Sequence, residues 1–94
     1  MIDFKNKKIL ITGATGSIGG AIVNKFVSLG GTVLGTGTKS EKLELIKQKN
    51  PNVKIKKFNL SDHSGIEEFL NFATSELGGL DILVNNAGVN VDNL

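Results

Sequence analysis

The sequence predicts an α/β fold in which helices cover a parallel sheet. Four short apolar runs alternate with three segments in which apolar residues recur every three or four positions. Such alternation between strand and helix periods is typical of βαβ units, whose crossovers are right-handed. A glycine-rich segment separates the first apolar run from the first helical segment. The order βαβαβαβ therefore predicts a doubly wound parallel sheet with strand order 3-2-1-4.

The first strand and the first helix flank the glycine-rich segment. Residues Lys8–Thr12 are largely apolar and β-branched, and they predict a buried strand that ends at Gly13. A helix is indicated next, because apolar residues at helical spacing would form one buried face. These residues are Ile18, Ala21, Ile22, Phe26 and Leu29. Gly30 and Gly31 are expected to end the helix.

Two strands and a short helix are predicted in the middle of the chain. Residues 32–36 and 53–58 are rich in valine, isoleucine or threonine, and they predict the second and third strands. The helix between them is expected to end at the single proline. Thr38 and Glu41 have the spacing of a capping box at its start.

The last predicted helix and strand complete the pattern. Apolar residues at helical spacing indicate the helix: Ile66, Phe69, Leu70, Ala73 and Leu77. Residues 61–62, Ser-Asp, predict its N-cap, and residues 78–79, Gly-Gly, predict its end. The fourth strand, 80–84, runs into the segment Asn-Asn-Ala-Gly at 85–88.

The composition excludes several classes of function. The 94 residues contain no cysteine, tyrosine or tryptophan and one histidine, which argues against disulfides, thiolate metal sites and histidine-rich metal centres. Every basic residue is a lysine and the net charge is only +2, so we expect no sequence-specific nucleic-acid binding. No apolar run approaches the roughly 20 residues that span a bilayer, so we expect no membrane partner. A cytoplasmic location is the expectation.

Two features that could suggest other chemistry have simpler explanations. His63 lies near the start of the third helix, and a lone imidazole there is interpreted as solvated or capping, since partner groups for catalysis are missing. Lys54, Lys56 and Lys57 fall on the third strand, which the 3-2-1-4 order places at an edge. Lysines on an edge strand commonly prevent pairing with another chain.

The glycine-rich segment predicts a dinucleotide site. Residues 12–19 read Thr-Gly-Ala-Thr-Gly-Ser-Ile-Gly, between a strand and a helix. In that position exposed N–H groups at a helix N-terminus bind a pyrophosphate. Gly13 would permit the tight turn, Gly16 the approach of the phosphate, and Gly19 close helix packing. A glycine-rich turn without ligand is the simpler alternative, but the surrounding βαβ unit favours cofactor binding.

The end of the second strand favours NADP(H) as the cofactor. Sites for NAD place an acidic residue on the 2′-hydroxyl of the adenosine ribose, about 20 residues past the loop. Here the chain has no acidic residue before Glu41, whereas Thr38 could donate a hydrogen bond to a 2′-phosphate and Lys39 could neutralise it. NAD(H) stays open as the alternative.

The glycine loop together with Asn-Asn-Ala-Gly at 85–88 resembles the short-chain dehydrogenase/reductase family. The segment 80–88, Leu-Asp-Ile-Leu-Val-Asn-Asn-Ala-Gly, is the most specific part of the match, which extends over nearly the whole chain. The resemblance implies the following cofactor contacts: Gly13, Ala14, Thr15, Gly16 and Ile18 at the pyrophosphate and ribose, Thr38, Asn59 and Leu60 at the adenosine end, and Asn86, Ala87 and Gly88 at the nicotinamide ribose.

Within the family the resemblance favours the bacterial 3-oxoacyl-[acyl-carrier-protein] reductases. It implies NADPH-dependent reduction of a 3-oxoacyl group carried by acyl carrier protein in fatty-acid synthesis, by a homotetramer. The family's catalytic Ser and Tyr-x-x-x-Lys have no counterpart in these residues. We therefore expect residues 1–94 to be the N-terminal, dinucleotide-binding part of a single Rossmann-like domain, without its catalytic C-terminal part and inactive alone.

Two other functions stay open. The loop has the spacing TGxxGxxG, with Ser17 where the family's usual TGxxxGxG places a glycine. That spacing is similar to extended relatives such as nucleotide-sugar epimerases, so the first alternative is another short-chain dehydrogenase or an epimerase of this extended type. A non-catalytic NAD(P)-binding module is the second alternative.

Overall fold

The structure, a computed structural model, describes residues 3–86 of the chain. Four strands and three α-helices alternate along these residues, with a 3-10 turn at His63–Gly65. The strands are Lys8–Thr12 (β1), Thr32–Gly37 (β2), Lys54–Lys57 (β3) and Ile82–Asn85 (β4), and the helices are Ser17–Ser28 (α1), Ser40–Lys49 (α2) and Ile66–Leu77 (α3). Within this part of the chain no helix combines the length and apolar character needed to cross a membrane.

The four strands form one parallel sheet in the order β3-β2-β1-β4, which confirms the predicted fold class. Ile9 in β1 is the register partner of both Val33 in β2 and Ile82 in β4. Leu34 in β2 is aligned with Lys54 in β3. Because all strands run the same way, their carboxyl ends meet at one edge of the sheet, where α/β proteins bind ligands.

The core lies on both faces of the sheet. Successive strand residues point to opposite faces, so Ile9 and Leu10 belong to different clusters. The first cluster joins β1, β2 and β3 to α1 through Val23, with α2 packed against it. The second joins β1 and β2 to α3 through Phe69 and Leu77. The sheet is therefore a middle layer between α1 and α2 on one side and α3 on the other.

The buried faces of two helices differ from the predicted ones. In α1, Ile18 is 64% exposed and Ala21 is exposed as well, whereas Gly19 and Val23 are buried. Gly19 faces the loop that precedes the helix. The buried face of α1 is therefore the one that contains Gly19, and it is not decided by hydrophobicity alone. In α3, Leu70 is also exposed, and Phe72 packs on the core in its place.

The predicted helix caps are partly wrong. The N-cap of α2 is Lys39 and makes no side-chain hydrogen bond, so Thr38 and Glu41 do not form a capping box. Before α3 the 3-10 turn intervenes, and the N-cap is Gly65 instead of residues 61–62. The predicted end of α3 is confirmed, because Gly78 has a left-handed φ of 78° that suits glycine.

The two edges of the sheet differ in polarity. The edge strand β3 carries Lys54, Lys56 and Lys57, as predicted, and the Lys56 ammonium lies 4.7 Å from the centre of the Phe72 ring. At the other edge, Leu83 of β4 is 54% exposed, and no strand among residues 3–86 pairs beyond β4.

Candidate functional site

The loop between β1 and α1 is held tightly against β2. Gly13 has a φ of 63°, a conformation that favours glycine and turns the chain away from β1. The N–H of Ala14 donates to the carbonyl oxygen of Thr36 at 2.9 Å, and the Ala14 side chain is fully buried. These contacts fix the position of the loop at the carboxyl end of the sheet.

Two glycines allow this loop to pack against its neighbours. A Cβ atom on Gly19 would overlap the carbonyl oxygen of Gly13, so the predicted close packing at Gly19 is present. At the end of β2, a Cβ on Gly37 would lie 2.7 Å from Cγ2 of Thr15. The loop thus rests on α1 on one side and on β2 on the other.

The N-terminus of α1 offers backbone donors without acceptors. The first bond of the helix runs from the N–H of Gly20 to the carbonyl of Gly16 at 2.8 Å. Within residues 3–86 the N–H groups of Ser17, Ile18 and Gly19 have no acceptor, and no side chain caps the helix. No acidic residue lies in the first turn. Such a helix start carries partial positive charge and binds anions such as phosphate.

A cleft of about 430 Å³ opens beside the loop, along the carboxyl ends of β1, β2 and β3. Its lining residues are Gly13, Thr15, Thr36, Gly37, Thr38, Phe58, Asn59, Leu60, Ser61 and His63. None of them is a carboxylate or a lysine, and His63 is the one ionisable side chain among them. The cleft therefore has hydroxyl, amide and imidazole side chains in its lining, next to the loop that leads into α1.

The β3–α3 connection forms the outer wall of the cleft as a hydrogen-bonded turn. The Oδ1 atom of Asn59 accepts the N–H of Ser61 at 2.9 Å, and the Asn59 carbonyl accepts the N–H of Asp62 at 2.9 Å. The turn begins next to β2, because the N–H of Phe58 donates to the carbonyl of Gly37 at 2.9 Å. Asn59 is thereby fixed in the wall with its Nδ2 group free among the described residues.

Asn86 ties the end of β4 to the glycine loop. Its Nδ2 donates to the carbonyl of Gly13 at 3.0 Å, and its backbone N–H donates to Oγ1 of Thr12 at 3.0 Å. The same Thr12 hydroxyl lies 3.2 Å from Oδ1 of Asn85. Ala87 and Gly88, which were predicted as further cofactor contacts, lie outside the described residues.

The structure separates the predicted site residues into groups. Those that line the cleft are Gly13, Thr15, Thr38, Asn59 and Leu60. Ala14 and Gly19 lie beneath the loop, and Asn86 reaches it from β4. Gly16 faces a second groove between α1 and α2, Ile18 is exposed, and Lys39 is exposed outside the cleft lining.

Sequence reasoning missed half of the residues that line the cleft: Thr36, Gly37, Phe58, Ser61 and His63. Four of them could have been found, because they stand at or just beyond the carboxyl ends of β2 and β3, the edge at which parallel sheets bind ligands. His63 follows the end of β3 by six residues. Its place in the cleft depends on the turn at Asn59, which the sequence pattern did not predict.

Known proteins match both the sequence and the fold. Nodulation protein G of Rhizobium meliloti is 40% identical over 95 residues, which cover 100% of this chain and 39% of that protein. The 3-oxoacyl-[acyl-carrier-protein] reductase of Salmonella typhimurium is 39% identical over 94 residues, which cover 99% of this chain and 38% of that protein. The chain thus spans about two fifths of the length of these relatives.

A solved structure and a family profile agree with these relatives. A short chain dehydrogenase from Bacillus anthracis superposes with a TM-score of 0.81 and 27% identity, over 89% of this chain and 35% of that one. The profile of the short chain dehydrogenases matches residues 7–94. The glycine loop, the sheet order and these similarities together show that the chain belongs to the short-chain dehydrogenase family.

Proposed function

We propose that these residues form the NADP(H)-binding part of a short-chain oxidoreductase that reduces a 3-oxoacyl group carried by acyl carrier protein. The observation that carries the proposal is the cleft at the carboxyl ends of β1–β3, which is lined by Gly13 and Thr15 of the loop that leads to three N–H groups without acceptors at the start of α1. Members of the family generally bind NAD(P)(H). A dinucleotide with a pyrophosphate and an adenosine fits these two adjacent features.

The geometry supports a particular placement of the adenosine half. With the pyrophosphate on the N–H groups of Ser17, Ile18 and Gly19, the adenosine extends across the ends of β2 and β3. These strands are neighbours about 4.8 Å apart. In this proposal the ribose lies near Thr38 and the adenine near Asn59, which both line the cleft. The absence of a carboxylate from the cleft lining favours a 2′-phosphate on that ribose over a free 2′-hydroxyl.

The nicotinamide half is proposed to lie on the β4 side of the loop. Ile18 projects into solvent at the start of α1, and Asn86 holds the loop through Gly13. Ala87 and Gly88 complete the set expected there. The bound dinucleotide would supply the hydride, while these residues position it and keep the loop in place.

The acyl substrate and the partners are the further part of the proposal. They are supported by the similarity to the Salmonella reductase, whereas the similarity to nodulation protein G is equally strong and its name specifies no substrate. A homotetramer and a cytoplasmic location belong to the same proposal. Because the sequence contains no tyrosine, we expect the 94-residue chain to bind NADPH without reducing a 3-oxoacyl thioester.

The first test measures dinucleotide binding by the 94-residue chain and its Thr38→Asp variant. NADPH and NADH are titrated separately, and the fluorescence of the dihydronicotinamide reports binding. We expect the wild type to prefer NADPH. In Thr38→Asp the new carboxylate would repel the 2′-phosphate, so the Kd for NADPH should rise on the order of tenfold. The Kd for NADH should fall or stay the same, because an acid at this place suits a 2′-hydroxyl.

Thr74→Asp is the matched control. Thr74 is exposed on α3 away from the cleft lining, so this variant changes the net charge equally without approaching the ligand. It should leave both Kd values unchanged. A wild type that binds neither dinucleotide while showing a helical circular dichroism spectrum would reject the proposed function. Equal affinity for NADPH and NADH would reject the 2′-phosphate assignment alone.

A further inference from the structure

His63 lies on the cleft although it is distant in sequence from the glycine loop. It begins the 3-10 turn His63–Gly65 and lines the same cleft as Thr38, Asn59 and Ser61. The imidazole has no hydrogen-bond partner among residues 3–86. His63 thus lines the cleft, and its ring nitrogens are not used by a hydrogen bond within the described residues.

Local hydrogen bonds hold His63 in this position without using its side chain. The turn before it is closed by the bond from the Ser61 N–H to Asn59, and the backbone N–H of His63 donates to the carbonyl of Ser61 at 3.0 Å. The neighbouring carboxylate of Asp62 accepts the hydroxyl of Ser64 at 2.8 Å. None of these hydrogen bonds uses the imidazole, which is left to face solvent or a ligand.

The chemistry of the lining leaves few groups that could recognise a phosphate at the adenosine end. Thr38 and Ser61 supply hydroxyl groups, and His63 is the one ionisable side chain of the lining. An imidazole carries at least one N–H donor in either protonation state, and donors to a charged acceptor form the stronger hydrogen bonds. Lys39, the cation expected there from the sequence, does not line the cleft.

We infer that His63 is a specificity-determining residue of the cofactor site, which donates a hydrogen bond from its ring to the 2′-phosphate of NADP(H). This inference rests on the proposed function, and it adds a contact from the β3–α3 connection to Thr38 at the end of β2. The 2′-phosphate would then be held from two sides of the cleft. NADH lacks this phosphate and gains nothing from the imidazole.

The test compares His63→Ala and His63→Gln with the wild-type chain, by titration with NADPH and with NADH. His63→Ala should raise the Kd for NADPH about fivefold to tenfold and change the Kd for NADH less than twofold. His63→Gln keeps an N–H donor, so it should recover part of the affinity for NADPH. Because His63 is exposed, both variants should keep the circular dichroism spectrum and thermal unfolding midpoint of the wild type.

Lys57→Ala is the matched control for loss of a basic group. Lys57 is the exposed last residue of β3 and does not line the cleft, so its removal should leave both Kd values unchanged. If wild type binds NADPH and His63→Ala changes neither Kd, or changes both equally, His63 does not select the 2′-phosphate and the proposed function stands. If the folded wild type binds neither dinucleotide, both proposals are rejected.

Discussion

The candidate site, which comprises the cleft and the start of α1 beside its loop, has two halves that are built from different parts of the chain. The inner half is backbone: the loop after β1, the N–H groups of α1 and the glycines that let them pack. The outer half consists of side chains at the ends of β2 and β3, of which Thr38, Asn59 and His63 are exposed. The inner half is also part of the core, since Ala14 is fully buried beneath it. The outer half borders solvent.

This difference predicts different consequences of substitution. A change in the inner half alters packing between backbone segments, so it should lower the free energy of unfolding together with the affinity for any dinucleotide. A change in the outer half removes or adds one polar contact at an exposed position, so it should alter selectivity while the fold persists. We therefore expect general dinucleotide binding to depend on the inner half and the choice between NADPH and NADH to depend on the outer half.

The largest effect is expected for Gly19→Ala in the inner half. Its Cβ would overlap the carbonyl oxygen of Gly13, a backbone atom that cannot move without displacing the loop. The free energy of unfolding should fall by about 3 kcal/mol, and binding of both NADPH and NADH should be lost with the loop geometry. Urea unfolding followed by circular dichroism measures the first effect, and the fluorescence titration measures the second.

Gly20→Ala is the matched control, because it makes the same chemical change at the next position of α1. Its Cβ would meet no atom closer than the Ala14 carbonyl oxygen at 3.9 Å. Alanine is the better helix former by roughly 0.5–1 kcal/mol, so this variant should be as stable as wild type or more so. Equal stability of the two variants would show that the loop can move at little cost in free energy. The inner half of the site would then be no more sensitive to substitution than the outer half.

An intermediate effect is expected at Gly37, where the two halves of the site meet. Alanine there would place Cβ 2.7 Å from Cγ2 of Thr15, a side-chain atom that can move by rotation. We expect a loss of about 1 kcal/mol of unfolding free energy and weaker binding of both dinucleotides. Thr15→Ser removes the methyl group, so the double variant should regain the lost stability. Additive losses of stability in this double-mutant cycle would show that the contact with the Thr15 methyl group does not cause the destabilisation of Gly37→Ala.

Much of the fold could be predicted because it depends on local periodicity. The predicted strand Lys8–Thr12 is confirmed, and the parallel order 3-2-1-4 follows from the alternation of strands and helices. The face of α1 was predicted less well, since hydrophobicity favoured Ile18. Gly19 packs against the backbone of Gly13, six positions earlier in the chain, and this contact sets which face of α1 is buried. A pattern of hydrophobic residues does not reveal such a contact between two glycines.

The sequence predicts those parts of the candidate site in which the backbone geometry requires a particular residue type. It predicts the other parts less well. Gly13 needs a positive φ, and the sequence displays that need as a glycine. The outer wall depends on how the β3–α3 connection folds back, through the bond from the Ser61 N–H to Asn59. A 3-10 turn without side-chain caps leaves little trace in sequence. His63 was therefore interpreted as solvated or capping.

The smallest effect is expected for Lys39→Glu, which tests how far the outer half extends. Lys39 is the exposed N-cap of α2 outside the cleft lining, so its influence on a 2′-phosphate is a screened charge effect. The Kd for NADPH should rise about twofold to threefold at low ionic strength, and the rise should vanish near 1 M salt, where the Debye length is about 3 Å. A glutamate at the start of α2 suits the helix dipole, so stability should be kept.

Lys49→Glu makes the same charge change at the opposite end of α2 and serves as the control for Lys39→Glu. The two positions are about 15 Å apart along the helix, so at the same ionic strength Lys49→Glu should raise the Kd for NADPH less than Lys39→Glu does. A rise in Kd as large as that expected for Thr38→Asp, and persisting in 1 M salt, would mean that Lys39 contacts the phosphate directly. The outer half would then include the start of α2, and selectivity would depend on a flexible cation as well as on the groups that line the cleft.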